Sequence, residues 1–113
     1  MKYIIAIIQP DRLDSVLDRL EKKDIHLVTV TPVLGHGRQK GISTIYRSVK
    51  EAGSLLKKLK LEIAVNETFV EPAIEAITEG AHTGNIGDGK IFVLSLESVT
   101  RIRTGETGAS AIG

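Results

Sequence analysis

Lys58-Leu59-Lys60-Leu61-Glu62-Ile63-Ala64-Val65 shows the clearest alternation in the chain. A period of two belongs to a strand with one buried face, so Leu59, Leu61, Ile63 and Val65 turn to a core. Lys58, Lys60 and Glu62 turn the other way. Towards the N-terminus, residues 2–8 form a continuous apolar run rich in Ile, the mark of a central strand. Pro10 and Asp11 then open a helix whose stripe is Leu13, Val16, Leu17 and Leu20. Ile25 to Leu34, rich in Val and Thr, reads as a second strand, with Pro32 tolerable only at an edge or a bulge.

Towards the C-terminus, Asn66 or Thr68 caps a second helix, and Thr68-x-x-Glu71 has capping-box spacing. Pro72 falls in or near its first turn, where the missing N–H does little harm. Ile74 and Ile77 pack inward, and Gly80 is a natural C-terminal stop. A strand over 90–97 follows, then a short tail after Arg103 that ends in small residues. The order is β-α-β, a long connection from about Gly37 to Gly53, then β-α-β. Two such units sharing one antiparallel sheet, with both helices on one face, make a ferredoxin-like α+β sandwich. The opposite sheet face is left uncovered, which implies oligomerisation.

At 113 residues the chain is expected to be one domain, 1–113. Hydrophobic content is 42% with two Tyr, two Phe and no Trp, so Ile, Leu, Val and Ala must build the core. A net charge of +1 gives no general attraction to nucleic acid, and the few aromatics do not interleave with basic residues as base stacking requires. The absence of cysteine removes disulfides, thiolate metal sites and Cys nucleophiles together. The apolar start stops at Gln9-Pro10 without a small-residue cleavage site, so it reads as a strand and not a signal peptide. No span approaches the ~20 apolar residues of a membrane helix. The expectation is a soluble, cytoplasmic protein that is not embedded in a membrane.

Chemistry concentrates in Thr83-Gly-Asn-Ile-Gly87-Asp88-Gly89-Lys90 and in Arg101-Ile102-Arg103. The glycines leave backbone N–H groups uncovered by any Cβ, so an anion can approach, and Lys90 adds a charge at the loop's exit. If extended, Arg101 and Arg103 point to one face about 6.6–6.8 Å apart, which suits successive phosphates. The plainer readings are a simple turn before a strand and a solvated basic edge. The loop is not a Walker A motif, because Lys90 opens a strand and no Ser/Thr follows it. The connection holds Gly37-Arg-Gln-Lys-Gly41, Tyr46-Arg47 and Lys50-Glu51-Ala-Gly53. It is either a β-ribbon extension or an element that orders against a ligand or partner.

Three segments resemble the PII signalling proteins: Gly35-His-Gly-Arg38-Gln39-Lys40-Gly41, Thr83 to Val93, and Arg101-Ile-Arg103-Thr-Gly105. The resemblance covers nearly the whole chain and is most specific over Thr83 to Leu96. It implies a ferredoxin-like homotrimer that binds ATP or ADP in clefts between subunits. By the same resemblance Gly87, Asp88, Gly89 and Lys90 wrap the phosphates, and Arg101 and Arg103 reach them across the boundary. Arg38, beside Gly37, approaches the terminal phosphate, while Thr29, Glu62 and Ala64 lie around adenine and ribose. Gln39 helps to hold Mg²⁺ and 2-oxoglutarate; Lys58 pairs a carboxylate of that ligand, beside Lys40 and Gly87. The long connection corresponds to the T-loop, which docks on a transporter, enzyme or regulator with Tyr46, Arg47 and Glu51 in the contact region.

This chain departs from the family inside that loop. Tyr46-Arg47-Ser48-Val49-Lys50-Glu51 replaces Tyr-Arg-Gly-Ala-Glu-Tyr, so Glu51 stands where many members carry a uridylylated tyrosine, and Val49 where others carry a phosphorylated serine. The departure argues against control by those modifications and against docking on the usual nitrogen-regulatory partners. Divergent relatives tied to metal efflux or inorganic-carbon transport supply one alternative function. A metal-binding tolerance protein, motivated by His26, His36 and His82, is another, although these histidines lack ligand spacing. A small ATPase is the third. No nucleophile–base pair is evident, so the expectation is a regulator and not an enzyme.

Overall fold

The computed structural model describes residues 1–36 and 55–113. Its elements run β1 (Lys2–Ile8), α1 (Leu13–Lys22), β2 (Thr29–His36), β3 (Leu55–Val65), α2 (Val70–Ala81) and β4 (Lys90–Ser95). One four-stranded sheet has the order β2-β3-β1-β4, and every neighbouring pair is antiparallel. This is the ferredoxin-like arrangement expected from the element order. β2 is an edge strand, so Pro32 withholds its missing N–H from no ladder interior.

Both helices cover one face of the sheet. Ile4, Ala6 and Ile8 of β1 and Leu61, Ile63 and Val65 of β3 meet Val16 and Leu20 of α1 and Ala73, Ala76 and Ile77 of α2 in one core. The register fixes what lies on the other face. Ile5 pairs with Glu62 and Phe92, Tyr3 with Ala64 and Leu94, and Ile7 with Lys60 and Lys90. Phe92 and Leu94 each keep 48% exposure, so this outer face carries uncovered apolar surface, as expected for an associating sheet.

Several boundaries differ from the sequence reading, and three of the differences have a clear physical reason. The second strand starts at Thr29 and not at Ile25. Ile25 N–H donates to Leu20 O and Asp24 N–H to Glu21 O, the paired bonds of a Schellman helix end. Asp24 takes the left-handed conformation (φ 61) that this motif usually reserves for glycine, and Ile25 packs into the core as its apolar anchor. The capping box at Thr68 and Glu71 does not form: the chain enters α2 through a tight turn at Glu67–Phe69, with no side-chain cap at either start.

Gly80 does not stop the helix; it lies inside α2. A Cβ there would sit 2.8 Å from Val16 Cα, so the missing side chain lets α1 and α2 touch backbone to backbone. Arg12 Nε donates to Gly80 O at 3.0 Å across the same contact. Overpacking at such a point costs about 1–3 kcal/mol, more than the ~1 kcal/mol of helix propensity that alanine returns. Gly80→Ala is therefore expected to lower the urea midpoint with an unchanged slope; a raised midpoint would contradict the close helix contact.

Candidate functional site

The glycine loop folds around the carboxylate of Asp88. Thr83 N–H and Gly84 N–H donate to Asp88 Oδ2 at 2.8 and 2.9 Å, and the Thr83 hydroxyl donates to Oδ1. Asn85 N–H donates to Thr83 Oγ1 at 3.2 Å and closes the ring of contacts. These bonds hold the Asp88 carboxyl well below its ordinary 3.8, at about 2, with the Thr83 hydroxyl the largest cause, then the Thr83 and Gly84 amides and the nearby His82. The Asp88 side chain thus organises the loop.

Gly89 has φ +106, and a Cβ on it would fall 1.7 Å from Ile7 O. Only glycine lets the loop close against the end of β1, and this seats Lys90 opposite Ile7. The loop also folds over Lys58, whose Nζ donates to Gly87 O at 3.0 Å. Lys58 faces outward as its alternation predicts, yet it is only 8% exposed. Burial pushes its pKa down, and the charge of Asp88 opposes that shift.

Across the outer face the strands line up the other expected residues. Thr29 is the direct partner of Glu62, Ala64 lies two residues further along β3, and the row beside them runs Thr31, Lys60, Ile7, Lys90. Tyr3 donates its hydroxyl to Glu62 Oε2, and this bond is the chief cause that raises the Tyr3 pKa.

The arginines behave differently from the extended pair read in the sequence. Gly105 N–H donates to Arg101 O, and Arg101 N–H to Glu106 O, each at 2.8 Å. The chain therefore reverses between the bridged residues Thr100 and Thr107, and Arg103 sits in the turn. Arg101 does not share a strand face with Arg103. Its guanidinium binds Glu106 Oε1 at 2.7 Å, Ser110 O at 3.1 Å and Gly113 O at 2.7 Å. This tail packs at the far end of the sheet from the glycine loop, where Asn66 Nδ2 donates to Ala109 O and Leu96 N–H to Met1 O. Within one protomer, Lys90 and Arg101 stand at opposite ends of β4. Gly37, Arg38, Gln39, Lys40, Tyr46, Arg47 and Glu51 lie outside the described residues.

A loop that seats a lysine at one end of an open sheet face, with a basic tail at the other, invites comparison with known proteins. The family described as nitrogen regulatory protein P-II matches residues 1–106. The chain belongs to this family. Nitrogen regulatory protein GlnK1 of Methanosarcina mazei is 54% identical over 99% of this chain and 97% of its own length. The nitrogen regulatory protein P-II of Rhizobium etli is 53% identical over 99% of this chain and all of its own. The P-II 2 protein of Methanothermobacter thermautotrophicus is 48% identical, with 99% and 97% covered. This P-II protein therefore acts in signal transduction for nitrogen regulation, and the alternatives in metal efflux, inorganic-carbon transport or metal tolerance are not favoured. Among the described residues no three ligating side chains converge; His26 lies 3.9 Å from Asp24 and His82 lies 3.7 Å from Asp88. No helix of the described residues is long and apolar enough to cross a membrane.

Sequence reading of this P-II chain missed two partners. Thr83 stands as a hydroxyl five residues before Asp88, and only the folding of the loop brings the two together. Tyr3 gave no signal, since it sits in a run of isoleucines and its role depends on the β1–β3 register.

The Asp88 geometry sets a pH dependence. Its folded pKa is depressed, so its contribution is complete above pH 3.8 and is lost as pH falls through about 2. The Thr83 and Gly84 amide shifts are expected to titrate with a midpoint near 2; a midpoint near 4 would show that the carboxylate is not held by the loop.

Proposed function

We propose that this P-II protein senses adenine nucleotide, ATP or ADP, in a cleft formed between copies of a homotrimer of a single 1–113 domain. On this reading Gly87, Asp88, Gly89 and Lys90 of one copy wrap the phosphates, while Arg101 and Arg103 of the next copy approach from the other side. Thr29, Glu62 and Ala64 receive the sugar and base. Gly37, Arg38 and Gln39 complete the phosphate end, with Mg²⁺ entering alongside ATP at Gln39. The occupancy is reported to a protein target through the T-loop around Tyr46, Arg47 and Glu51, without turnover of the nucleotide, in the cytoplasm. 2-Oxoglutarate is the co-effector, at Gln39, Lys40, Lys58 and Gly87.

One observation carries the reading: the outer sheet face holds an ordered line of polar groups, and its two cationic ends lie too far apart for one protomer to use together. β4 spans Lys90–Ser95, which at ~3.4 Å per residue is about 17 Å, and Arg101 lies beyond that end. A neighbouring copy can bring its own Arg101 to Lys90. The loop itself fits a polyphosphate. Gly87 and Gly89 have φ 105 and 106 and offer bare backbone, and the one carboxylate in the loop is already engaged by Thr83 and Gly84. Lys58 and Gly87, two of the 2-oxoglutarate residues, are in contact at 3.0 Å.

Titration calorimetry with ATP and ADP should give saturable heat below millimolar concentration. A hundredfold excess over Kd should add about 2.7 kcal/mol of stability, and Lys90→Ala or Arg101→Ala should each remove most of the thermal shift. The two variants, unfolded and reassembled together, should regain part of the binding, because some boundaries then pair an intact Lys90 with an intact Arg101. Mixed assemblies no better than either parent would reject the shared site.

A further inference from the structure

Nucleotide binding leaves one polar contact on the outer face without a purpose. Tyr3 donates its hydroxyl to Glu62 Oε2 across the β1–β3 pair. The other oxygen, Oε1, faces Lys60 Nζ in a loose ion pair at 3.7 Å, beyond hydrogen-bond distance, and the Glu62 side chain keeps 24% exposure. A phenol occupies one lone pair of one carboxylate oxygen without adding charge. It therefore fixes the plane of the carboxylate and leaves an ionised acceptor facing the open sheet.

The position of that acceptor is informative. The outward side chains of β3 run Lys58, Lys60, Glu62, Ala64 in steps of about 6.6–6.8 Å. Lys58 marks the end covered by the glycine loop, since its Nζ meets Gly87 O. Phosphates held at the loop end thus leave the next stretch of a nucleotide, its sugar, beside Glu62, and the base beside Ala64 and the Tyr3 ring, which share one register position. A sugar presents hydroxyl donors, and a pinned carboxylate oxygen is a strong acceptor for them.

We propose that Tyr3 is a positioning residue for nucleotide recognition: it holds Glu62 Oε2 so that Oε1 accepts a hydrogen bond from a ribose hydroxyl. This rests on the nucleotide reading above. Without the phenolic hydroxyl, Glu62 is free to turn further onto Lys60, and closing the 3.7 Å ion pair to a direct hydrogen bond would withdraw the acceptor. The sheet does not need the contact, because the backbone register of β1 and β3 extends over all of Lys2–Ile8.

Calorimetry with ATP and 2′,3′-dideoxy-ATP on the wild type, Tyr3→Phe, Glu62→Gln and the double variant separates the cases. Tyr3→Phe should weaken ATP by about 3- to 10-fold, the worth of one hydrogen bond, and leave dideoxy-ATP unchanged. In the Glu62→Gln background, Tyr3→Phe should have no further effect on ATP. Wild-type ATP affinity retained by Tyr3→Phe, or equal losses for both nucleotides, overturns the role of Tyr3 and leaves the nucleotide site standing. Absence of saturable ATP binding by the wild type overturns the nucleotide reading, and the Tyr3 role with it.

Discussion

Where the glycine loop meets the end of β1, the backbone of Gly89 comes so close to Ile7 O that a Cβ would stand 1.7 Å from it. That approach fixes the register of β4. With Gly89 lodged there, Lys90 must face Ile7, Phe92 must face Ile5 and Leu94 must face Tyr3. A slip of one residue would send Lys90, Phe92 and Leu94 to the helix side and bring Ile91 and Val93 out. The closure of the loop by Asp88 works to the same end, since it holds the three-glycine segment in the one shape that delivers Gly89 to this contact. Fold and candidate site therefore share a single constraint.

The two faces of the sheet obey different rules. The inner face is closed by aliphatic side chains from both helices, and its largest residues are essentially without solvent contact. The outer face mixes Ile5, Phe92 and Leu94 with Lys60, Glu62 and Lys90. Its apolar part gains by being covered, while its charges lose unless they are paired or stay wet. A second copy placed over the middle, with a polyanion between the cationic margins, meets both demands at once. On the nucleotide reading, assembly and binding are then thermodynamically linked, because ligand that binds only the assembled form stabilises it.

The parts of this arrangement that were legible in the sequence are those written in local pattern. The alternation from Leu59 to Val65 is found in the burial of β3, and the stripe of Val16 and Leu20 in that of α1. What escaped is written either in contacts between distant residues or in backbone turns that lack their usual signature. Gly80 looks like a helix stop in sequence because its role, a backbone contact with Val16, is made by a residue in another helix. Asp24 hides a helix end because the left-handed conformation there lacks its usual glycine. Arg101 and Arg103 suggested an extended pair because Gly105 and Glu106, which reverse the chain, lie after them. Lys58 keeps its predicted direction yet is buried, since the loop that covers it comes from residue 87.

On the nucleotide reading, Arg101 shows how the tail would bear on affinity. Its Nη1 is engaged by Glu106 and its Nη2 by two backbone carbonyls, Ser110 O and Gly113 O. A guanidinium has five N–H donors in a fixed plane and three are engaged here, so a phosphate finds only Nε–H and the second Nη1 N–H unless it displaces one of these partners. Displacement exchanges one charge-assisted contact, to Glu106, for another, to phosphate, and the net gain is the difference between them. Lys90, which makes no ion pair with a carboxylate among the described residues, contributes its attraction with less to give up. The two cations that the nucleotide reading treats as equals are therefore unequal in energy. On that reading, the order of the segment from Glu106 onward is tied to whether Arg101 holds its own chain or a ligand.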